Sequence, residues 1–235
     1  MKTILLTIAA LFLIALVGVG AMTFMATRGE DPARLEARYA TPADRFIEVD
    51  GVRVRVRVEG PETAPPIVLL HGFTFSLESW DAWARELSRT RRVIRYDLAG
   101  HGLTGPDPQK RYANEQRAAF HIKVMDALGV ARADLAGNSL GGLVAWRVAA
   151  AHPERVGKLV LVDAGGYPIN GVGDAPVTAP PPVAAFLLTA PKAGVETAMR
   201  ALWGDPGKID ARRVAEVRDL MRRRGNGRAF VEHIA

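Results

Sequence analysis

Gly137-Asn138-Ser139-Leu140-Gly141-Gly142 joins a weak strand signal, Ala133–Ala136, to a mostly apolar helical stretch, Leu140–Ala151. Glycines on both sides of one serine suit a bend so tight that Cβ atoms at Gly137 and Gly141 would collide with neighbouring chain. G-x-S-x-G is a short pattern that recurs by chance. A strand before it and a helix after it give it meaning, because the serine then stands at the tip of a strained turn with its Oγ accessible. The helix start also aims N–H groups and the positive end of a dipole at that serine, which favours negative charge developing beside it. Ser139 is therefore the candidate nucleophile, with a plain Gly-rich strand–helix turn as the alternative reading.

The rest of the chain supplies the matching frame. Phe46–Val49 reads as a strand, Asp50-Gly51 as a hairpin turn, and Val52–Val58 alternates Val with Arg, a period-two strand with valine inward and arginine outward. Ile67–Leu70 is a continuous apolar run, as in a strand buried on both faces. Helical spacing at Leu77–Leu87, a strand at Val93–Tyr96, a helix from Asn114 to Leu128 closed by Gly129, and a strand at Lys158–Val162 complete an alternating order. That order predicts an α/β fold: a mainly parallel sheet with an antiparallel N-terminal pair at one edge and helices on both faces. Beyond Gly165-Gly166 the pattern changes. Seven prolines lie from Pro168 to Pro206, two helical stretches follow at Val183–Trp203 and Ala211–Arg224, and no strand is expected. The expected domains are thus a core over residues 45–166 and a helical cap over 167–235.

The absence of cysteine excludes disulfides and thiolate chemistry, and no metal or cofactor is expected. A net charge of +6 is spread along the chain apart from Arg222-Arg223-Arg224, which no aromatic residue interleaves. The cluster reads as a solvated basic face, not a nucleic-acid surface. At the N-terminus, Lys2 precedes an apolar run from Ile4 to Ala26, long enough to span a bilayer. Residues 1–27 read as an uncleaved transmembrane anchor that holds the domain on the exported side of a membrane. The alternative is a signal segment cut near Val19-Gly20-Ala21, which would leave a secreted protein. Residues 28–44 read as a charged linker or short amphipathic stretch.

Three motifs in order, Leu70-His71-Gly72-Phe73, Asp97-Leu98-Ala99-Gly100-His101-Gly102-Leu103-Thr104 and Gly137–Gly142, resemble those of the α/β-hydrolase superfamily. The nearest branch contains small ester, haloperoxidase-like and carbon–carbon bond hydrolases. His152-Pro153-Glu154-Arg155-Val156 leading into Leu159–Asp163 looks like the family's sixth strand. The resemblance implies a nucleophile elbow at Ser139 and an oxyanion hole made by the amides of Leu140 and Phe73. It also implies a small-molecule substrate with an ester or related carbonyl group. Relatives that open epoxides or cleave carbon–halogen bonds carry aspartate at the elbow, so a serine there argues for acyl transfer.

The family's triad order is Ser, acid, His, with both partners after the cap. No histidine here matches that position, so the catalytic histidine is expected beyond Ala235, together with the last core strands. His71 and His101 sit in loop motifs, His121 in an outer helix, His152 at a far helix end, and His233 reads as a surface or packing residue. Asp163, at the end of the sixth strand, is the candidate acid. Phe186, Leu187, Leu188, Trp203, Phe73 and Trp80 are the candidate lining of an apolar acyl or aromatic pocket. A catalytically inactive hydrolase-fold binding protein at the membrane is the alternative function. Oligomeric state is not legible.

Overall fold

One six-stranded sheet, ordered β1-β2-β4-β3-β5-β6, organises the computed structural model, which describes residues 27–166 and 178–234. Its strands are β1 (Asp44–Val49), β2 (Val52–Glu59), β3 (Pro66–Leu70), β4 (Arg92–Tyr96), β5 (Ala133–Asn138) and β6 (Val156–Val162). β1 pairs antiparallel with β2 through the Asp50-Gly51 turn, and β2 antiparallel with β4. The pairs β3–β4, β3–β5 and β5–β6 are parallel. The apolar stretches predicted as strands thus form the sheet, with the antiparallel pair at one edge.

Helices cover both faces. α1 (Pro32–Tyr39) precedes the sheet, and a 3-10 turn at Leu77–Trp80 runs into α2 (Asp81–Leu87). α3 (Asn114–Ala127) and α4 (Leu140–Ala151) cover one face, over Val54, Val56, Val68, Leu70, Ile94 and Leu135. Trp80 and Ala84 cover the other, over Ile67, Leu69, Val93 and Ala136. Trp80, a candidate pocket residue, is therefore core packing on that second face. The stretch 28–44, expected as a linker, contains α1. Asp31 caps it by accepting from the amides of Ala33 and Arg34, and Leu35 is buried with Leu103 and Leu220.

The arginines of β2 depart from the outward orientation expected of them. Arg53 is exposed, but Arg55 and Arg57 are buried. Period two holds; the second face is covered by the chain around the 3-10 turn, which brings acids to meet the arginines. Arg55 pairs with Asp44 (2.9 Å), Glu78 (2.6 Å) and Asp97 (3.5 Å), and Arg57 with Asp44 (2.8 Å). Burial alone would raise the Asp44 pKa, but hydrogen bonds from Arg57, Arg55 and the Thr41 amide outweigh it and hold the carboxyl at about 2.

Four helices lie in the stretch expected as a cap: α5 (Pro181–Thr189), α6 (Lys192–Leu202), α7 (Ala211–Met221) and α8 (Asn226–Ile234). They share a core that includes Leu187, Met199, Val217, Met221 and Phe230. The single helix expected over Val183–Trp203 is broken at Ala190-Pro191. Ala190 is left-handed at φ +41°, and Pro191 cannot donate the next helical hydrogen bond.

β6 is the edge strand, and Leu159, Val160 and Leu161 are 37%, 38% and 47% exposed.

The expected membrane location is corrected. No helix among the described residues is long and apolar enough to cross a membrane. The longest, α3, has 14 residues; at 1.5 Å per residue it falls well short of a hydrocarbon core of about 30 Å. The apolar run from Ile4 to Ala26, on which that expectation rested, lies outside the described residues.

Candidate active site

Ser139 occupies the bend between β5 and α4. Its backbone is at φ +49°, ψ −113°, a conformation costly for any residue with a Cβ and held only where surrounding contacts impose it. Those contacts are visible. The Ser139 amide donates to the Val162 carbonyl (3.1 Å), and its carbonyl accepts from Leu143 (3.0 Å) and Gly165 (2.9 Å). The flanking glycines are steric necessities: a Cβ at Gly137 would stand 2.3 Å from the Gly141 oxygen, and one at Gly141 would stand 2.2 Å from the Leu70 oxygen. The bend therefore wedges against the end of β3.

That wedge brings the second motif to the serine. A Cβ at Gly72 would lie 3.4 Å from the Ser139 Cβ, so the loop after β3 passes directly beside the elbow. The amides of Phe73 and Leu140, the expected oxyanion donors, hydrogen-bond to no acceptor among the described residues. The Ser139 side chain, half-buried, likewise has no hydrogen-bond partner among them.

The loop is held by buried polar groups. His71 Nε2 accepts from the Leu98 amide (3.0 Å), which leaves the proton on Nδ1, 2.8 Å from the Gly72 carbonyl that accepts it. Burial lowers the His71 pKa, so the ring is a neutral brace, as its loop position suggested. Asp97 accepts from the amides of Leu77 and Leu103 (2.8 Å each), and burial raises its pKa against the pull of Arg55. This network explains the Asp97–Thr104 motif as a scaffold under the site.

The other histidines do not reach Ser139. His101 is buried, its Nδ1 donating to the Ala99 carbonyl (3.1 Å), while its Nε2 has no partner among the described residues. His121, in the middle of α3 as expected, is fully buried against Tyr96, whose hydroxyl is 2.8 Å from Nδ1. His152, with Glu154 at 3.6 Å, ends α4 opposite the elbow. His233 packs inward from α8. Arg117 donates to its Nδ1 (2.9 Å), and its Nε2 donates to the Ala99 carbonyl (3.1 Å). Burial, helped by Arg117, pushes its pKa down to about 3. With both nitrogens engaged, His233 is a packing residue. Asp163 is exposed at φ +44°, one residue past β6, and hydrogen-bonds to no histidine among the described residues.

Above the loop, the Phe73 ring meets Phe230 at 5.4 Å, His101 at 5.7 Å and His233 at 5.9 Å. α8 thus covers the Phe73 loop. Beside Leu140, a cavity lined by Leu98, Ala99, Tyr112, Arg117, Val144 and His233 measures about 20 Å³, room for roughly one water molecule. It is not the pocket expected from Phe186, Leu187, Leu188 and Trp203. Leu187 belongs to the cap core, and Phe186 and Trp203 pack against it with Phe73 and Phe75. The motifs gave no sign of Arg117 or Tyr112.

Comparison with known proteins agrees with this geometry. The family model for the alpha/beta hydrolase fold matches residues 65–202, more than half of the chain. The chain is 40% identical over 125 residues to 2-hydroxy-6-oxo-2,4-heptadienoate hydrolase of Pseudomonas putida, covering 52% of this chain and 45% of that protein. It is 32% identical over 146 residues to epoxide hydrolase 4 of Mus musculus, covering 61% of this chain and 41% of that protein. Among solved structures, the enol-lactonase of Burkholderia xenovorans LB400 matches with a TM-score of 0.64 and 29% identity, over 81% of this chain and 73% of that one. The chain spans less than half the length of these two curated relatives. The matched residues contain β3 to β6, the elbow at Ser139 and the loop beside it, and the chain belongs to the α/β-hydrolase fold family.

Proposed function

We propose that this chain carries the nucleophile and oxyanion hole of a serine hydrolase acting on an ester or a related carbonyl compound. One observation carries the reading: a serine at positive φ on a strand–helix bend, beside two amides that hydrogen-bond to no acceptor among the described residues. In such an arrangement Oγ attacks a carbonyl carbon, and the amides of Leu140 and Phe73 receive the negative charge that appears on the carbonyl oxygen. A serine, not a carboxylate, at the bend favours an acyl-enzyme over an alkyl-enzyme. A likeness to proteins named enol-lactonase and heptadienoate hydrolase agrees with attack at a carbonyl. Phe73 and Phe75, half-buried between the elbow and Trp203, suit an apolar acyl or aromatic group.

Attack by a serine needs a base within hydrogen-bond reach, and no histidine of the described residues lies there. Asp163, next to the elbow through Val162, is the acid we propose to orient such a base. The absence of a base partner for Ser139 favours a second reading, a hydrolase-fold protein that binds a carbonyl ligand without turning it over.

A fluorophosphonate probe separates the two. Covalent labelling that disappears in Ser139→Ala supports the enzyme, whereas an inert serine in a folded sample supports the binder.

A further inference from the structure

The turn between α7 and α8 carries Arg222, Arg223 and Arg224, the cluster that the hydrolytic reading leaves unused. The chain before α1 is strapped along this turn. The Glu30 amide donates to the Arg222 carbonyl (2.6 Å), and the Arg224 amide donates to the Glu30 carbonyl (2.9 Å). Gly29 permits the approach: its φ is +76°, and a Cβ there would stand 2.6 Å from the Arg222 oxygen. Between strap and turn lies a cavity of about 460 Å³ lined by Arg28, Arg222, Arg223, Arg224 and Arg228.

The Arg223 guanidinium lies against Gly105 and that of Arg222 donates to the Thr189 carbonyl (2.9 Å), so Arg28, Arg224 and Arg228 are the cations that the hollow itself holds, with few acids near them. Glu30 lies 3.6 Å from Arg222, and Asp31 lies 3.4 Å from Arg224. Arg28 and Arg228 are exposed and make no ion pair among the described residues. Like charges held together repel one another, and an anion seated among them relieves that repulsion. Guanidinium groups present paired donors that match phosphate oxygens. The volume is that of a small-molecule site, within a usual range of about 300–1,000 Å³.

We propose that this arginine cradle binds a small diphosphate-bearing molecule. Its position on the cap side of α8, away from Ser139, makes it a site separate from the hydrolytic one, and the inference stands or falls independently of it.

Titration calorimetry of the full chain with inorganic pyrophosphate, in about 0.15 M salt, tests the proposal. Binding at one site is expected, with adenosine diphosphate competing for it. The double variant Arg224→Ala/Arg228→Ala should bind at least tenfold more weakly with its melting temperature kept, since both side chains are exposed. Arg28→Ala, on the opposite wall, should weaken binding separately. Ser139→Ala should bind as the unaltered chain does. Heat no greater than that from chloride at matched ionic strength, an unchanged affinity in the double variant, or capture by phosphatidic acid vesicles without binding of free pyrophosphate would overturn it.

Discussion

The ring of Phe230, fully buried on the last described helix, meets the ring of Phe73 edge-on at 5.4 Å. Phe73 directly follows the glycine that touches Ser139. One aromatic pair therefore couples the cap to the loop that supplies one of the two free amides. Phe230→Ala should cost about 3–5 kcal/mol through the cavity it leaves. The same change should loosen the Phe73 loop. Urea denaturation measures the first effect, and faster hydrogen exchange at the Phe75 amide, which donates to the Gly72 carbonyl (3.3 Å), measures the second.

The elbow glycines predict an all-or-none result. Gly141→Ala drives a Cβ into the Leu70 carbonyl at 2.2 Å, and neither backbone segment can yield without moving β3 or α4. Soluble expression should be lost or the melting temperature should fall steeply. Gly207→Ala, whose nearest neighbour is a flexible Asp205 oxygen at 3.2 Å, should change the melting temperature by no more than a degree or two.

Burial, not charge, decides what each β2 arginine contributes. Arg55→Met leaves Asp44, Glu78 and Asp97 short of a buried partner, at a cost of about 3–5 kcal/mol. Arg53→Met removes a half-exposed pair with Glu36 and a guanidinium stacked 3.6 Å over the Phe46 ring, each worth about 1 kcal/mol or less at this exposure. Thermal denaturation of the two variants side by side reads the contrast.

Histidines removed from water shape the acid limb of stability, since burial lowers the pKa of His71, His101, His121 and His233. Burial pushes the pKa of both His121 and His233 down to about 3, against about 6.5 in an unfolded chain. Between those values the unfolded chain binds more protons than the folded one, so stability rises with pH. It is fully present above pH of about 6.5 and is lost as pH falls toward 3, by up to about 1.4 kcal/mol per pH unit for each histidine. Denaturant midpoints measured from pH 4 to 7 should show this slope, and His233→Asn should reduce it while leaving the share of His71, His101 and His121 in place.

Much of this was legible beforehand, for identifiable reasons. β3 could be read because a strand buried on both faces leaves a strong apolar signal, whereas β5, weak in its own residues, could be read from the G-x-S-x-G that ends it. The position of Ser139 followed from the same glycines. The inward turn of Arg55 and Arg57 was not legible. A period-two strand marks its second face as polar without saying whether water or Asp44, Glu78 and Asp97 lies against it. The partners of His121 and His233 were not legible for a similar reason, since Tyr96 and Arg117 are 25 and 116 residues away in sequence. The break at Ala190-Pro191 was written in the proline but outweighed by the apolar periodicity around it.

The most direct test of the account is a crystal structure of the chain after reaction with a fluorophosphonate. The account predicts a phosphonyl group on Ser139 Oγ whose free oxygen lies about 2.7–3.1 Å from the amide nitrogens of both Leu140 and Phe73. An unmodified Ser139 in a folded chain, or an adduct whose oxygen points away from those two amides, would contradict it.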